Sequence, residues 1–144
     1  MQKISKNIKD TEKIAEYFLK KIKVNKNGAT IVGLYGDLGT GKTTFTQAMG
    51  KSLGIKRKVN SPTYVIMKSY KLKVKSYKLL YHLDAYRLKN EKELLHLGWE
   101  AIIANKEHLI FIEWPEQIIK AIPKKHHKVL ISHTKEGHRK FEVK

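Results

Sequence analysis

The stretch Gly36-Asp37-Leu38-Gly39-Thr40-Gly41-Lys42-Thr43 decides the fold, because it fits the phosphate-binding pattern G-x-x-x-x-G-K-[ST] at every defined position. Its glycines allow backbone N–H groups to curl around a phosphate without obstruction by a Cβ atom. Lys42 has the reach and the charge for the β- and γ-phosphates, and the Thr43 hydroxyl can bind Mg²⁺. The stretch therefore predicts a nucleotide site, with a flexible glycine turn as the alternative interpretation.

The residues on both sides of this loop have the order that the motif requires. Residues 29–35 form an apolar, strand-like run, and residues 44–49 begin a helix that Gly54 can end. This order places the positive N-terminus of the helix against the bound anion. The context favours a phosphate-binding loop over a plain turn.

The rest of the chain predicts further helices and strands. Asp10 can cap a helix with an apolar stripe, and Asn90 starts a helix with Glu93 as its capping-box partner. Pro115 can open a short helix. Strands are predicted at residues 63–67, 76–83, 108–112, 129–131 and 141–143. We therefore predict one P-loop domain over residues 1–144, an α/β three-layer sandwich like that of P-loop NTPases, with a mixed, mostly parallel sheet.

Composition excludes several classes of protein. The 144 residues contain no cysteine, which excludes disulfides, thiolate zinc sites and cysteine nucleophiles. The polar segment that carries four of the seven histidines has no acidic partner at ligand spacing, which disfavours a zinc site. No apolar run approaches the 18 residues of a membrane span, and no signal-peptide core is present. We expect a cytoplasmic protein without membrane contact.

The net charge of +17 has two interpretations. It can mark a surface that faces RNA, because basic proteins attract polyanions. It can also reflect a lysine-rich composition on solvated faces, since 27 of the 30 basic residues are lysine and only 3 are arginine. Arginine is the residue favoured for bidentate recognition of phosphates and bases, so the second interpretation is the stronger one.

Two acidic residues are candidates to complete a nucleotide site. Glu113 ends the apolar run at residues 109–112, and ligands of open α/β sheets bind at the carboxyl ends of strands. A carboxylate there can hold Mg²⁺ beside Thr43, and a solvent-facing strand end is the alternative. Asp84 follows another predicted strand and can position water or bind metal through water, or it can simply begin a turn.

Two further residues have weaker patterns. Arg87 can neutralise charge that develops on the γ-phosphate, and a structural ion pair is equally compatible with its position. Thr63 follows Ser61-Pro62 and can sense the γ-phosphate, although the first residue of a strand is the simpler interpretation.

Five segments in order resemble one family. They are Gly36 to Phe45, Ser61-Pro62-Thr63-Tyr64, His82-Leu83-Asp84-Ala85-Tyr86-Arg87-Leu88, Glu93 to Gly98 and Ile112-Glu113-Trp114-Pro115-Glu116. Together they resemble the TsaE family, the bacterial ATPases of tRNA threonylcarbamoyladenosine biosynthesis, over residues 10–140. The phosphate loop is shared by many enzymes, and the other segments make the resemblance specific.

The resemblance implies an ATPase with ATP and Mg²⁺ as cofactors and two protein partners, a threonylcarbamoyl transferase and its paralogue. A weak or indirect contact with tRNA is left open by the sequence. It implies catalytic roles for Lys42, Asp84 and Glu113, metal binding by Thr43 and Glu113, and a switch-like loop at Thr63. The implied nucleotide contacts are Thr11, Asp37, Leu38, Gly39, Thr40, Gly41, Lys42, Thr43 and Thr44.

One departure and two alternatives stay open. The family commonly has Gly-Arg near the C-terminus, where this chain has Gly137-His138-Arg139, so Arg139 is an uncertain replacement. A small-molecule kinase would need a lid with several arginines, and 3 in the whole chain argue against it. A basic RNA-binding module that uses charge alone would leave the phosphate loop unexplained.

Overall fold

The computed structural model describes residues 1–56 and 66–144 of the chain. Within those residues one sheet of seven strands has the order β1-β7-β6-β2-β5-β4-β3. The strands are β1 (Gln2–Ser5), β2 (Thr30–Tyr35), β3 (Met67–Lys71), β4 (Leu79–Asp84), β5 (His108–Glu113), β6 (His127–His133) and β7 (Arg139–Val143). Residues 61–64, and Thr63 with them, lie outside the described residues.

The centre of the sheet is parallel and its edges are antiparallel. Strands β6, β2, β5 and β4 pair in parallel, whereas β1, β7 and β3 pair antiparallel, so three of the six pairings in the described part are parallel. Every residue of β5 is buried, as are the first five of β2. Central parallel strands are covered on both faces, which explains their continuous apolar runs. The mixed sheet predicted from the sequence is confirmed, with its parallel part confined to the centre.

Helices cover both faces of the sheet. Helices α1 (Ile8–Lys21) and α2 (Lys42–Ser52) pack on one face, where Phe111 of β5 belongs to their apolar core. Helices α3 (Lys92–Leu95) and α4 (Trp99–Ala104) and a 3₁₀ helix (Pro115–Ala121) cover the other face with Ile112. The alternation of side chains along β5 therefore supplies both cores, and the predicted three-layer sandwich is confirmed.

The structure differs from the sequence-based expectations in three places. Helix α1 is capped by Asn7, whose side chain accepts from the Asp10 N–H at 2.9 Å, so Asp10 lies in the first turn instead of at the cap. The helix predicted from Asn90 begins at Lys92 and is interrupted at Gly98, where φ is +73°. Strand β1 was not predicted, because its four residues are mostly polar and pair with β7 alone. In the described part of the chain, no helix combines the length and apolar character that crossing a membrane requires.

Candidate functional site

The phosphate loop connects β2 to α2 and is held in a conformation that needs glycine. Gly41 has φ +101° and immediately precedes α2. A Cβ atom on Gly41 would lie 2.8 Å from Cζ of Arg139, so the guanidinium lies against the loop backbone. The loop and the first turn of α2 therefore present backbone N–H groups and the positive helix end at one opening.

Lys42 is buried at this opening, with 6% of its surface exposed. Its Nζ donates to the carbonyls of Gly36 and Asp37, the latter at 2.8 Å, and lies 4.2 Å from the centre of the Trp114 ring. Burial lowers the pKa of the Lys42 amine, and nearby carboxylates, Glu113 foremost, oppose that shift. The site thus holds a desolvated cation in the same cavity as the carboxylates of Asp84 and Glu113.

Glu113 lies between Thr43 and His82 at the C-terminal end of β5. The Thr43 hydroxyl donates to the two carboxylate oxygens, at 3.1 and 3.3 Å. His82 is fully buried on β4, and its Nε2 donates to Oε2 of Glu113 at 2.5 Å. Glu113 itself is 4% exposed, so the interpretation as a solvent-facing strand end is wrong.

Asp84 and Glu113 occupy paired positions on adjacent strands. The parallel register of β4 and β5 sets Asp84 beside Glu113, and both line a cavity of about 370 Å³ with Lys42 and Thr43. Oδ1 of Asp84 accepts from the Tyr86 N–H at 3.0 Å, which fixes the carboxylate at the start of a turn. The turn interpretation of Asp84 and its place in the cavity are therefore compatible. Arg87 is exposed and does not line this cavity.

The donor set fits a magnesium ion that is shared with phosphates. A hydroxyl and a carboxylate within 3.3 Å of one another supply hard oxygen ligands, as Mg²⁺ prefers. In residues 1–56 and 66–144, no group of three histidine, cysteine, aspartate or glutamate side chains converges on a metal position. Mg²⁺ commonly uses one or two protein ligands with substrate phosphates and water, so Thr43 and Glu113 suffice.

The other predicted nucleotide contacts divide into two places. Leu38, Gly39, Gly41 and Thr44 line the same cavity as Lys42, and Leu38 is 68% exposed. Asp37 contributes through its backbone carbonyl, which accepts from the Thr40 hydroxyl at 2.8 Å and from Lys42. Thr40 is therefore buried within the loop and supports its shape.

Thr11 lies in a neighbouring cavity of about 260 Å³. It is buried, and its hydroxyl hydrogen-bonds with the Ser5 hydroxyl at 2.6 Å. Arg139 lines this cavity and the phosphate-loop cavity, so its side chain marks the boundary between them. The two cavities therefore meet at the Arg139 side chain.

Sequence reasoning missed two site residues, His82 and Trp114. Trp114 has φ +59°, a strained value for a bulky residue, and its ring lies 5.0 Å from that of Tyr86. The available signal was its position directly after Glu113, since strained residues often follow a site strand. His82 is two residues before Asp84, so the period of a strand puts both on one face.

Comparisons with known proteins identify the family of the chain. The family described as "Threonylcarbamoyl adenosine biosynthesis protein TsaE" matches residues 5–141. The tRNA threonylcarbamoyladenosine biosynthesis protein TsaE of Bacillus subtilis is 36% identical over 111 residues, 77% of this chain and 66% of the relative. The protein of the same name from Haemophilus influenzae is 38% identical over 106 residues, 74% of this chain and 63% of the relative. The chain thus spans just under two thirds of these relatives' own length.

A solved structure supports the same assignment. The crystal structure of Bacillus subtilis YdiB superposes with a TM-score of 0.77 at 27% identity, and the match covers 98% of this chain and 82% of that one. The fold is accordingly P-loop NTPase-like. With the family match over nearly the whole length, the chain belongs to the TsaE family of threonylcarbamoyl adenosine biosynthesis proteins.

Proposed function

We propose that this protein is a Mg²⁺-dependent ATPase that supports tRNA N6-threonylcarbamoyladenosine biosynthesis. One observation carries the proposal: the Thr43 hydroxyl and the Glu113 carboxylate lie 3.1 Å apart in a cavity that also contains Lys42. A metal-bound nucleotide needs a hydroxyl, a carboxylate and a cation at the end of a phosphate loop. The family assignment supports the biosynthetic role.

Phosphate binding rests on Lys42 and the start of α2. The Lys42 amine is held by two carbonyl oxygens, and a phosphate oxygen offers it a charged acceptor that forms a stronger hydrogen bond. The N–H groups of the loop and of the first helical turn add further donors. When bound, Mg²⁺ neutralises charge on the phosphates. Catalysis would therefore be mostly electrostatic and positional.

Asp84 is the proposed acid that orients the attacking water. It lies beside Glu113 across the β4–β5 pairing, and the Tyr86 N–H fixes its carboxylate. A held carboxylate near the γ-phosphate can accept a hydrogen bond from water and direct its lone pair toward phosphorus. Glu113 has a different role, since Thr43 and His82 already engage both its oxygens.

Arg139 and Thr11 extend the proposed nucleotide contacts. The Arg139 guanidinium borders both cavities and lies against Gly41, where a phosphate bound by the loop comes within its reach. Thr11, in the second cavity, is the proposed contact for ribose or base. The two contacts account for a nucleotide that extends from the phosphate loop toward α1.

The proposed partners are the two protein subunits of the tRNA threonylcarbamoyl transferase complex, and the proposed compartment is the cytoplasm. Hydrolysis by the isolated protein should be slow, because GTPases and ATPases gain large factors from an arginine that a partner supplies. Partner binding near the exposed Leu38 and Tyr86 would complete the site.

The test compares the Thr43 hydroxyl, the proposed Mg²⁺ ligand, with the Thr46 hydroxyl, which is not a proposed ligand. Thr43→Val removes the proposed Mg²⁺ ligand, and Thr46→Val removes a buried hydroxyl that donates to the Lys42 carbonyl at 3.0 Å. We expect Thr43→Val to hydrolyse ATP at least about 100-fold more slowly and Thr46→Val to stay within about threefold of wild type. Phosphate release that is independent of Mg²⁺, or equal in both variants, would contradict the proposal. Phosphorylation of a small acceptor in place of phosphate release would favour the kinase alternative.

A further inference from the structure

A second cavity lies at the end of the sheet opposite the phosphate loop. Its volume is about 560 Å³, and it lies between residues 23–31 and residues 123–127. We call this cavity the basic cleft. It adjoins the first residues of β2, whereas the phosphate loop follows the last residue of that strand. The four strand residues 32–35 separate the two by about 13 Å. The basic cleft is therefore a different surface from the nucleotide site.

One side-chain hydrogen bond joins the two segments of the cleft, and others hold each segment in shape. Nε2 of His127 donates to the Lys23 carbonyl at 3.2 Å, which joins the residues after α1 to the start of β6. Asn25 donates to the Ala29 carbonyl at 3.1 Å, and its own N–H donates to the Thr30 hydroxyl at 2.9 Å. His126 bonds to the Pro123 carbonyl and to the Tyr35 hydroxyl. The walls are thus fixed by contacts of residues that are themselves in the cleft.

The two segments that form the cleft, with the residues that flank them in the sequence, carry positive charge only. Residues 17–36 and 117–135 contain nine lysines and no aspartate or glutamate. At the phosphate loop, by contrast, four carboxylates oppose the lowering of the Lys42 pKa, namely Asp37, Asp84, Glu113 and Glu116. Lys23 and Lys125 are exposed on the walls, and neither forms an ion pair with the residues that the structure describes. An anion that enters the cleft meets no carboxylate on its walls.

We propose that the basic cleft is an RNA-binding surface that contacts the phosphate backbone of tRNA. The positive charge of the cleft indicates a polyanion as its ligand. The biosynthetic role of the family indicates that this polyanion is tRNA. Lysine is a compact point charge without a planar fork, so binding is through phosphates and largely independent of base sequence.

An acidic protein is the other class of partner with negative charge. Protein interfaces are enriched in aromatic residues and arginine and depleted in lysine, whereas the exposed charged residues of this cleft are both lysine. The other exposed lining residues are Val24, Asn25, Asn27 and Pro123. Phosphate contacts are the stronger match to such walls. The proposal does not depend on ATP hydrolysis, because the cleft and the phosphate loop share no residue.

The experiment measures binding of an unmodified tRNA transcript to the full chain by fluorescence anisotropy, from 50 to 300 mM salt. The double variant Lys23→Gln/Lys125→Gln removes two charges from the cleft. The matched control Lys73→Gln/Lys75→Gln removes two exposed charges from the turn between β3 and β4, on the other side of β5. Both variants lower the net charge equally, so a difference between them reports position.

We expect the cleft variant to bind tRNA about tenfold or more weakly at 100 mM salt, with the slope of log K against log salt smaller by about 1.4–1.8. The control should stay within about twofold of wild type. Equal weakening in both variants, no tRNA binding by wild type, or equally tight binding of polyglutamate would overturn the proposal. Phosphate release from ATP, measured on the same samples, should be unchanged in the cleft variant, which separates failure of the RNA surface from failure of the ATPase.

Discussion

Gly41→Ala and Gly54→Ala separate the backbone strain of the phosphate loop from its role in binding. Both glycines have positive φ, +101° at Gly41 before α2 and +86° at Gly54 after it. A methyl group on Gly54 meets no heavy atom within 4 Å, whereas one on Gly41 would lie 2.8 Å from the Arg139 guanidinium. The two substitutions therefore impose the same kind of strain and differ in what they touch.

The expected loss of stability is similar for the two variants. An alanine in the left-handed region lowers the free energy of unfolding by about 1–2 kcal/mol. Its restriction of the unfolded chain offsets about 0.4–1 kcal/mol of this loss. The net loss of unfolding free energy is then about 1 kcal/mol, or a few degrees in Tm for a domain of this size. The crowding at Gly41 adds little, because the end of a flexible arginine side chain can move away.

Nucleotide affinity should distinguish them. Displacing Arg139 from Gly41 removes one charge-assisted contact, about 1.5–3 kcal/mol, so Gly41→Ala should bind ATP about 10- to 100-fold more weakly. Gly54→Ala should bind ATP as wild type does. Urea unfolding gives the stabilities, and titration with a fluorescent ATP analogue gives the affinities. Equal ATP affinity in the two variants would refute the placement of the nucleotide against Gly41 and Arg139.

Four further outcomes follow from the site and the core. His82→Gln, which keeps a donor for Glu113, should retain Mg²⁺ affinity of the nucleotide complex within about threefold, and His82→Leu should lose about 10- to 100-fold by calorimetry. Asp84→Asn should lower kcat by about 100-fold or more with ATP affinity unchanged, as steady-state phosphate release would show. Burial lowers the pKa of Lys42, so at pH values just below its ordinary value of 10.5 the unfolded chain binds more protons than the folded chain. The free energy of unfolding of wild type, measured in urea, should therefore rise relative to that of Lys42→Met as pH increases through that range. Phe18→Ala, at a fully buried position under α1, should cost about 3–5 kcal/mol of unfolding free energy in urea.

The sequence predicted the centre of the molecule well because its signals there are local and strong. The phosphate loop fixes β2 and α2, and the apolar run before Glu113 fixes β5 as a doubly covered strand. Two strands that end in acids at the same edge place Asp84 beside Glu113, as the register shows. Such patterns need no knowledge of distant contacts.

The rest depends on contacts between residues far apart in the sequence. Strand β1 exists because its register with β7 satisfies its backbone, and none of its four residues signals that partner. In the sequence, His82 is a single polar residue in a predicted strand. Only the pairing of β4 with β5 shows that its ring contacts Glu113. Helix α1 is capped by Asn7 and not by Asp10, and the following helical region is interrupted at Gly98. Both differences are shifts of a few residues, which local propensities do not resolve.

The most direct test of the ATPase assignment measures phosphate release from ATP in the presence of Mg²⁺. Wild type and Glu113→Ala are assayed alone and with the two subunits of the threonylcarbamoyl transferase complex. We predict slow release by wild type alone, faster release with the subunits, and loss of both in Glu113→Ala. Release that survives this substitution would contradict the metal role of Glu113, and release that the subunits leave unchanged would contradict the proposed complex.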